Sequence, residues 1–219
     1  MKETKIIAQD FFPTTVWSGE FPQFVKKLIK KTDPYIAEAD DLLKDKIKER
    51  EKIFGKVGDY GLSRHSVSLY DDPDFSEFRD YIGTLSYDYL VECGFNLKDY
   101  NLHFTEMWVQ EFSKKGGGYH NTHIHWNQHV SGFYFLKCSE KTSYPVLHDP
   151  RSGAMMTKLP PLDANQLSRI NDSVRFNPIP GTLIIFPGYV PHEFVPVPGK
   201  EPFRFIHFNI QALPKIYCK

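Results

Sequence analysis

The sequence predicts a mainly-β chain with a helical N-terminal part: an antiparallel sandwich or barrel buttressed by helices. Two observations carry this. Through about residue 100, apolar residues recur at helical spacing between charged ones. From about Asn101, short segments rich in aromatic and β-branched residues alternate with turn residues, with no helical pattern between them. No flexible linker divides the two parts. The 219 residues are therefore expected to form a single domain, with 1–100 the mostly helical buttress and 101–219 the β core.

Taken in order, Phe24, Val25, Leu28 and Ile29 share one helical face, with Lys26, Lys27, Lys30 and Lys31 on the other. Asp33-Pro34 reads as a fresh helix start, an N-cap followed by proline at the first position. Ile36, Ala39, Leu43, Ile47 and Phe54 then line a stripe whose charged neighbours form a solvated face. The glycine-containing stretch from Phe54 to Asp71 is expected to be irregular or a short hairpin. Asp72-Pro73 repeats the start signal, Phe75, Phe78, Ile82, Leu85 and Tyr89 follow, and Gly94 is the expected stop. The clear strands are His103–Phe112, Val130–Cys138, Thr182–Pro187 and Phe203–Ile210. They are separated by Gly116-Gly117-Gly118, Asp149-Pro150, Pro178 to Gly181 and Pro196 to Gly199.

Composition narrows the function classes. Lys and Arg number 27 against 27 Asp and Glu, which disfavours a dedicated nucleic-acid binder, for which a basic surplus is expected. The start of the chain carries no signal-peptide pattern, and no apolar run is long enough for a membrane span. Cys93, Cys138 and Cys218 are odd in number and widely spaced, and no CxxC pair occurs. Neither a zinc knuckle nor a disulfide framework is supported, and a cytoplasmic protein is expected.

The histidines carry the chemistry. Of nine, four crowd into ten positions: His120, His123, His125 and His129. His123 and His125 stand at i and i+2, so on an extended strand they leave one face and can converge on one ion, whereas a helix would splay them. His192 follows the apolar segment 181–191, and strand pairing would return it beside the pair. Three neutral imidazoles on one side of a divalent ion leave positions open for small molecules, and imidazole suits Fe, Zn, Cu and Ni alike. His120 and His129 flank the pair as candidate outer donors. His65, His103, His148 and His207 read as ordinary structural residues, His207 because it alternates with Arg204. Trp126 is a candidate pocket wall.

Arg204 lies in Phe203-Arg204-Phe205-Ile206-His207-Phe208-Asn209. An arginine in an aromatic strand is costly unless paired or exposed. Pointed into a barrel, its planar fork suits a carboxylate ligand, and no Asp or Glu is obviously placed to neutralise it.

These segments, with Ser131 to Leu136, Asp149-Pro150-Arg151 and Gly181 to His192 in this order and spacing, resemble a family of short 2-oxoglutarate/Fe(II) oxygenases known largely from marine bacteria and their phages. The resemblance runs from about Phe104 to Ile210, with a weaker echo in Phe11 to Trp17. It implies a double-stranded β-helix, a jelly-roll or cupin-like barrel with the metal at its mouth. It implies Fe(II), 2-oxoglutarate as co-substrate and dioxygen as oxidant, with succinate and carbon dioxide released as an unidentified substrate is hydroxylated. Position by position, His123, His125 and His192 match the metal-binding places. Arg204 matches the residue that grips the far carboxylate of 2-oxoglutarate, and Ser131, Tyr134 and Asn209 match further motif positions counted with the cofactor set. The broader superfamily pattern is two His and one carboxylate, whereas the second place here is His125. Three arrangements stay open: three His, two His with water, or completion by a carboxylate such as Asp149. Glu193 is set aside, since it should point away from His192.

Two other classes remain. A cupin-like three-His metal enzyme without 2-oxoglutarate would have no need of Arg204. A non-catalytic metal-binding barrel would normally close its site with four protein ligands.

Overall fold

The computed structural model describes residues 6–113, 115–153, 159–197 and 199–217; Cys218 lies outside them. The elements, in chain order, are β1 (Trp17–Glu20), α1 (Val25–Phe54), β2 (Ser63–His65), α2 (Ser76–Glu92), β3 (Tyr100–Phe112), β4 (His120–His123), β5 (Val130–Lys137), β6 (Tyr144–His148), β7 (Ser173–Arg175), β8 (Thr182–Phe186), β9 (His192–Val195) and β10 (Phe203–Pro214).

The strands form a six-stranded sheet, order β1-β8-β5-β10-β3-β2, and a four-stranded sheet, order β4-β9-β6-β7. The strand pairs are all antiparallel. From β3 to β10 the chain passes back and forth between the sheets, except at the β6–β7 step. This is the winding of a double-stranded β-helix, as the sequence resemblance implied. Both helices lie outside it.

Alternation along the strands separates two cores. On the outer face of the larger sheet, Met107, Val109, Tyr134, Ile206, Phe208 and Ile210 pack against Phe24, Leu28, Phe78, Ile82 and Tyr89 of the helical layer. Between the sheets, Phe112, Phe133, Phe135, Phe186, Phe194, Phe203 and Phe205 fill the barrel. Their rings meet edge-on or tilted, as at Phe133 and Phe194 with centroids 5.0 Å apart. The aromatic load of the sequence is thus largely a solid plug.

Three expectations about the helical part change in detail. Asp33-Pro34 does not start a helix, because α1 runs unbroken for 30 residues with Pro34 inside it. A proline there removes one backbone donor and crowds the preceding turn. That turn is held from the barrel side, where the Arg204 guanidinium donates to Ile29 O and Thr32 Oγ1. The stretch after Phe54 forms no hairpin of its own; its three-residue strand β2 pairs with β3. Asp72 does cap, accepting from Asp74 N at 2.8 Å, but across a short 3₁₀ turn that leads into α2. Gly94 ends that helix at φ 94°. Among the described residues no helix is long and apolar enough to cross a membrane.

Candidate metal centre

His123 closes β4, His192 opens β9, and the two are cross-strand partners. The strand expected to carry both members of the HxH pair stops at its first, and His125 stands two residues beyond β4. Beyond β4 the chain is fastened by His125 N donating to Gly188 O at 2.9 Å. Gly188 permits this, since a Cβ there would fall 2.5 Å from Gln128 O. The result brings ligand atoms of His123, His125 and His192 within 4.8 Å of one another. His123 and His192 have ring centroids 4.4 Å apart. His192 is buried, and the other two are half-buried at the mouth.

Hydrogen bonds assign the tautomers. His192 Nδ1–H donates to Val190 O at 2.9 Å, and His123 Nδ1–H donates to Asn121 O at 2.7 Å. Both therefore carry a lone pair rather than a proton on Nε2. His125 differs: its Nδ1 accepts from Asn209 Nδ2 at 2.9 Å, and its Nε2 lies 3.3 Å from His192 Nε2, to which it donates. The same Asn209 amide donates to Glu106 Oε2 at 2.7 Å. A metal taking His125 Nε2 requires the imidazole proton on Nδ1 instead. The buried Asn209 Oδ1, which has no partner, is the acceptor that a turned amide would offer.

Burial, with the neighbouring imidazoles adding to it, pushes His120 and His125 down to about 4. Burial does the same to His192, down to about 3, and drives His207 far below the ordinary range. His125 and His192 are thereby held neutral at pH 7, the form that binds divalent metals. The linkage has a definite sign. Between these values and the unfolded value near 6.5, the unfolded chain holds more protons than the folded one. Metal-free protein is thus expected to keep its full stability above about pH 6.5 and to lose it toward pH 4, each such histidine adding a slope of up to ~1.4 kcal/mol per pH unit. Urea midpoints at pH 7.5 and 5.0 check this; equal midpoints would mean that these imidazoles are not buried neutral.

The remaining sequence candidates divide. Ser131 and Asn209 are cross-strand partners on β5 and β10, both buried, on the strand faces that look between the sheets. Tyr134 and Arg204 are on the opposite faces. The Tyr134 hydroxyl donates to Phe21 O at 2.6 Å. Arg204 is turned to α1: Nε donates to Glu111 Oε2 at 2.7 Å and Nη1 to Asp33 Oδ1 at 2.7 Å. The structure does not bring Arg204 to the histidines, and Glu111, its cross-strand partner on β3, is the neutralising acid that sequence reasoning did not find. Asp149 is held by Arg151, Nη2 to Oδ2 2.7 Å, and no described metal-ligand grouping includes it. Glu193 points away as expected, to Thr122 and His148. His120 leans on Gln110 Oε1 at 2.9 Å, His129 accepts from Ala212 N at 3.1 Å, and Trp126 is exposed.

Two residues were missed. His207 is 1% exposed and faces inward, its ring 4.7 Å from His125. Glu106 sits at the mouth and with His125 and His207 forms a second possible ligand grouping. Asn209 already bridges Glu106 and His125, so this second set orients His125 rather than opening a separate centre.

A divalent metal fits these donors: three convergent imidazoles, two of them with an Nε2 lone pair in the tautomer already present. The 2-oxoglutarate clamp does not fit as the resemblance implied. The two buried arginines, Arg64 and Arg204, both serve the helical side. The inward faces near the histidines carry Phe rings and the unpartnered polar atoms of Ser131, His207 and Asn209.

Fold and site together define a double-stranded β-helix with a candidate metal centre. Residues 106–209, just under half of the chain, match a family model described as "Putative 2OG-Fe(II) oxygenase", so the β core is similar to that family. No curated protein matches in sequence. Among solved structures, AviO1 from Streptomyces viridochromogenes Tue57 is similar at TM-score 0.55 and 11% identity over 90% of each chain. A prolyl-4-hydroxylase from Pseudomonas putida is similar at TM-score 0.51 and 10% identity, over 90% of this chain and 92% of that one. Against an oxidoreductase of the 2OG-Fe(II) oxygenase family from Burkholderia pseudomallei, the chain spans 59% of that protein's length, with 12% identity and TM-score 0.44. At such identities the first two likenesses speak for the fold alone.

Proposed function

We propose that this protein is a non-haem Fe(II) oxygenase, with the ion held by His123, His125 and His192. The single observation that carries the reading is the convergence of those three side chains at the mouth of a barrel that matches the oxygenase family model over residues 106–209. The ion supplies dioxygen activation when bound. The chain's own part is to hold three imidazoles in place, with Val190 O and Asn121 O each accepting from an Nδ1–H, and to keep water from the interior with the aromatic plug. 2-Oxoglutarate is the co-substrate the family suggests, and Arg204 is not the group that would hold it. The cytoplasm is the proposed location.

A second reading, a three-His metal enzyme that does not use 2-oxoglutarate, is favoured by one observation: Arg204 is committed to Glu111 and α1. An anaerobic titration separates the two. Wild-type protein is expected to bind one Fe(II) per chain, and 2-oxoglutarate is then expected to raise a weak visible charge-transfer band. Iron-loaded, folded protein without the band supports the second reading, and failure to bind iron removes both.

A further inference from the structure

A largely apolar cleft lies beside the three histidines without including them. It opens where the two sheets end beside each other, at the edges formed by β1 and β7. Its volume is about 570 Å³, within the range of small-molecule sites. Val16, Leu147, Val174, Phe176 and Val190 form its walls, and the Asp10–Thr14 segment roofs it. Phe11 and Phe12 stand there 67% and 85% exposed. Phe12 is held at φ 58°, a conformation that a bulky residue rarely adopts.

The inner end adjoins the metal centre. Leu147 is the cross-strand partner of His192, so their side chains leave the same face of the smaller sheet, one strand apart. Val190 lines the cleft while its carbonyl orients His192.

The rim is charged but already neutralised. Arg151 is paired with Asp149, Arg169 with Asp10, and His148 with Glu193. These rim pairs are at least partly exposed, so what disfavours a ligand charge is the apolar wall beneath them, where the charge would lose water without gaining a partner. Ser168, Asn171 and Ser173 offer neutral polar contacts at the edge.

We propose that this cleft binds the substrate of the oxygenase and selects an uncharged, largely apolar small molecule. The proposal rests on the oxygenase reading for its link to the metal, and the test keeps the two apart. N-phenyl-1-naphthylamine, a neutral probe, is expected to bind one per chain. Its sulfonated analogue, 1-anilino-8-naphthalenesulfonate, is expected to bind at least about ten-fold more weakly. Val174→Trp, which fills the cleft, is expected to weaken the neutral probe by at least about ten-fold. The exposed pair Phe11→Ala and Phe12→Ala, which cannot disturb the core, is expected to weaken it as well. Co(II) placed in the histidine site is expected to shorten the relaxation times of the bound probe's protons. His123→Ala is expected to lose the metal and keep the probe.

Equal binding of both probes, or undiminished binding by folded Val174→Trp together with the Phe variants, overturns the ligand class and the site. Binding without any effect of loaded Co(II) overturns the link to the metal. Wild-type protein that binds the probe but no metal defeats the oxygenase reading while leaving the cleft's selectivity standing.

Discussion

Arg204→Ala is expected to destabilise the folded protein by about 3 kcal/mol while leaving metal affinity at the histidines unchanged. Arg204 and Glu111 have side chains 4% and 3% exposed, so the substitution strands a buried carboxylate. It also strips the donors from Ile29 O and Thr32 Oγ1 in the turn before Pro34. Lys137, 3.4 Å from Glu111, can take up part of the charge, which keeps the cost at the lower end of what breaking a buried pair entails. Arg204→Met combined with Glu111→Gln removes both charges and is expected to recover most of the loss. Urea denaturation of the metal-free variants, alongside Co(II) titration, measures both quantities. A folded Arg204→Ala of wild-type stability with weakened 2-oxoglutarate binding would restore Arg204 to the site.

His192→Ala is expected to reduce metal affinity by more than about 100-fold, because loss of an outer-shell partner alone costs 10–100-fold and this residue is a proposed direct ligand. The ring is buried among Phe133 and Phe186, with centroids 5.6 and 4.9 Å away, so a cavity will also lower stability. His123→Ala, at a half-buried position, separates the two effects: the same loss of metal is expected with little change in urea midpoint. Stoichiometric metal retained by both variants would mean that the ligand set is wrong.

The fold was legible where alternation and turn residues spoke together. The four long strand segments lie where expected, within a few residues at their ends. The short strands β1, β2, β6, β7 and β9 were not legible, since three to five residues carry too little pattern. The meeting of His123, His125 and His192 followed from the i, i+2 spacing and the length of chain to the next turn. The face of β10 did not follow. Both its faces are apolar, Phe203 and Phe205 on one side, Ile206 and Phe208 on the other. Alternation then fixes which residues share a face but not which face looks inward. Placing Arg204 inward forced His207 outward, and the structure has the opposite. The missing clue was Glu111, whose pairing with Arg204 depends on β3–β10 register, a long-range property.

The sheets end modestly. Their central strands reach 13 and 12 residues in β3 and β10, yet β1 and β4 have four residues, and β2 and β7 three. A neighbouring molecule seeking to extend the smaller sheet, or the larger one at β1, finds only a stub of backbone on which to build. Fibre-like growth by strand addition is discouraged at those edges even in a chain this rich in phenylalanine.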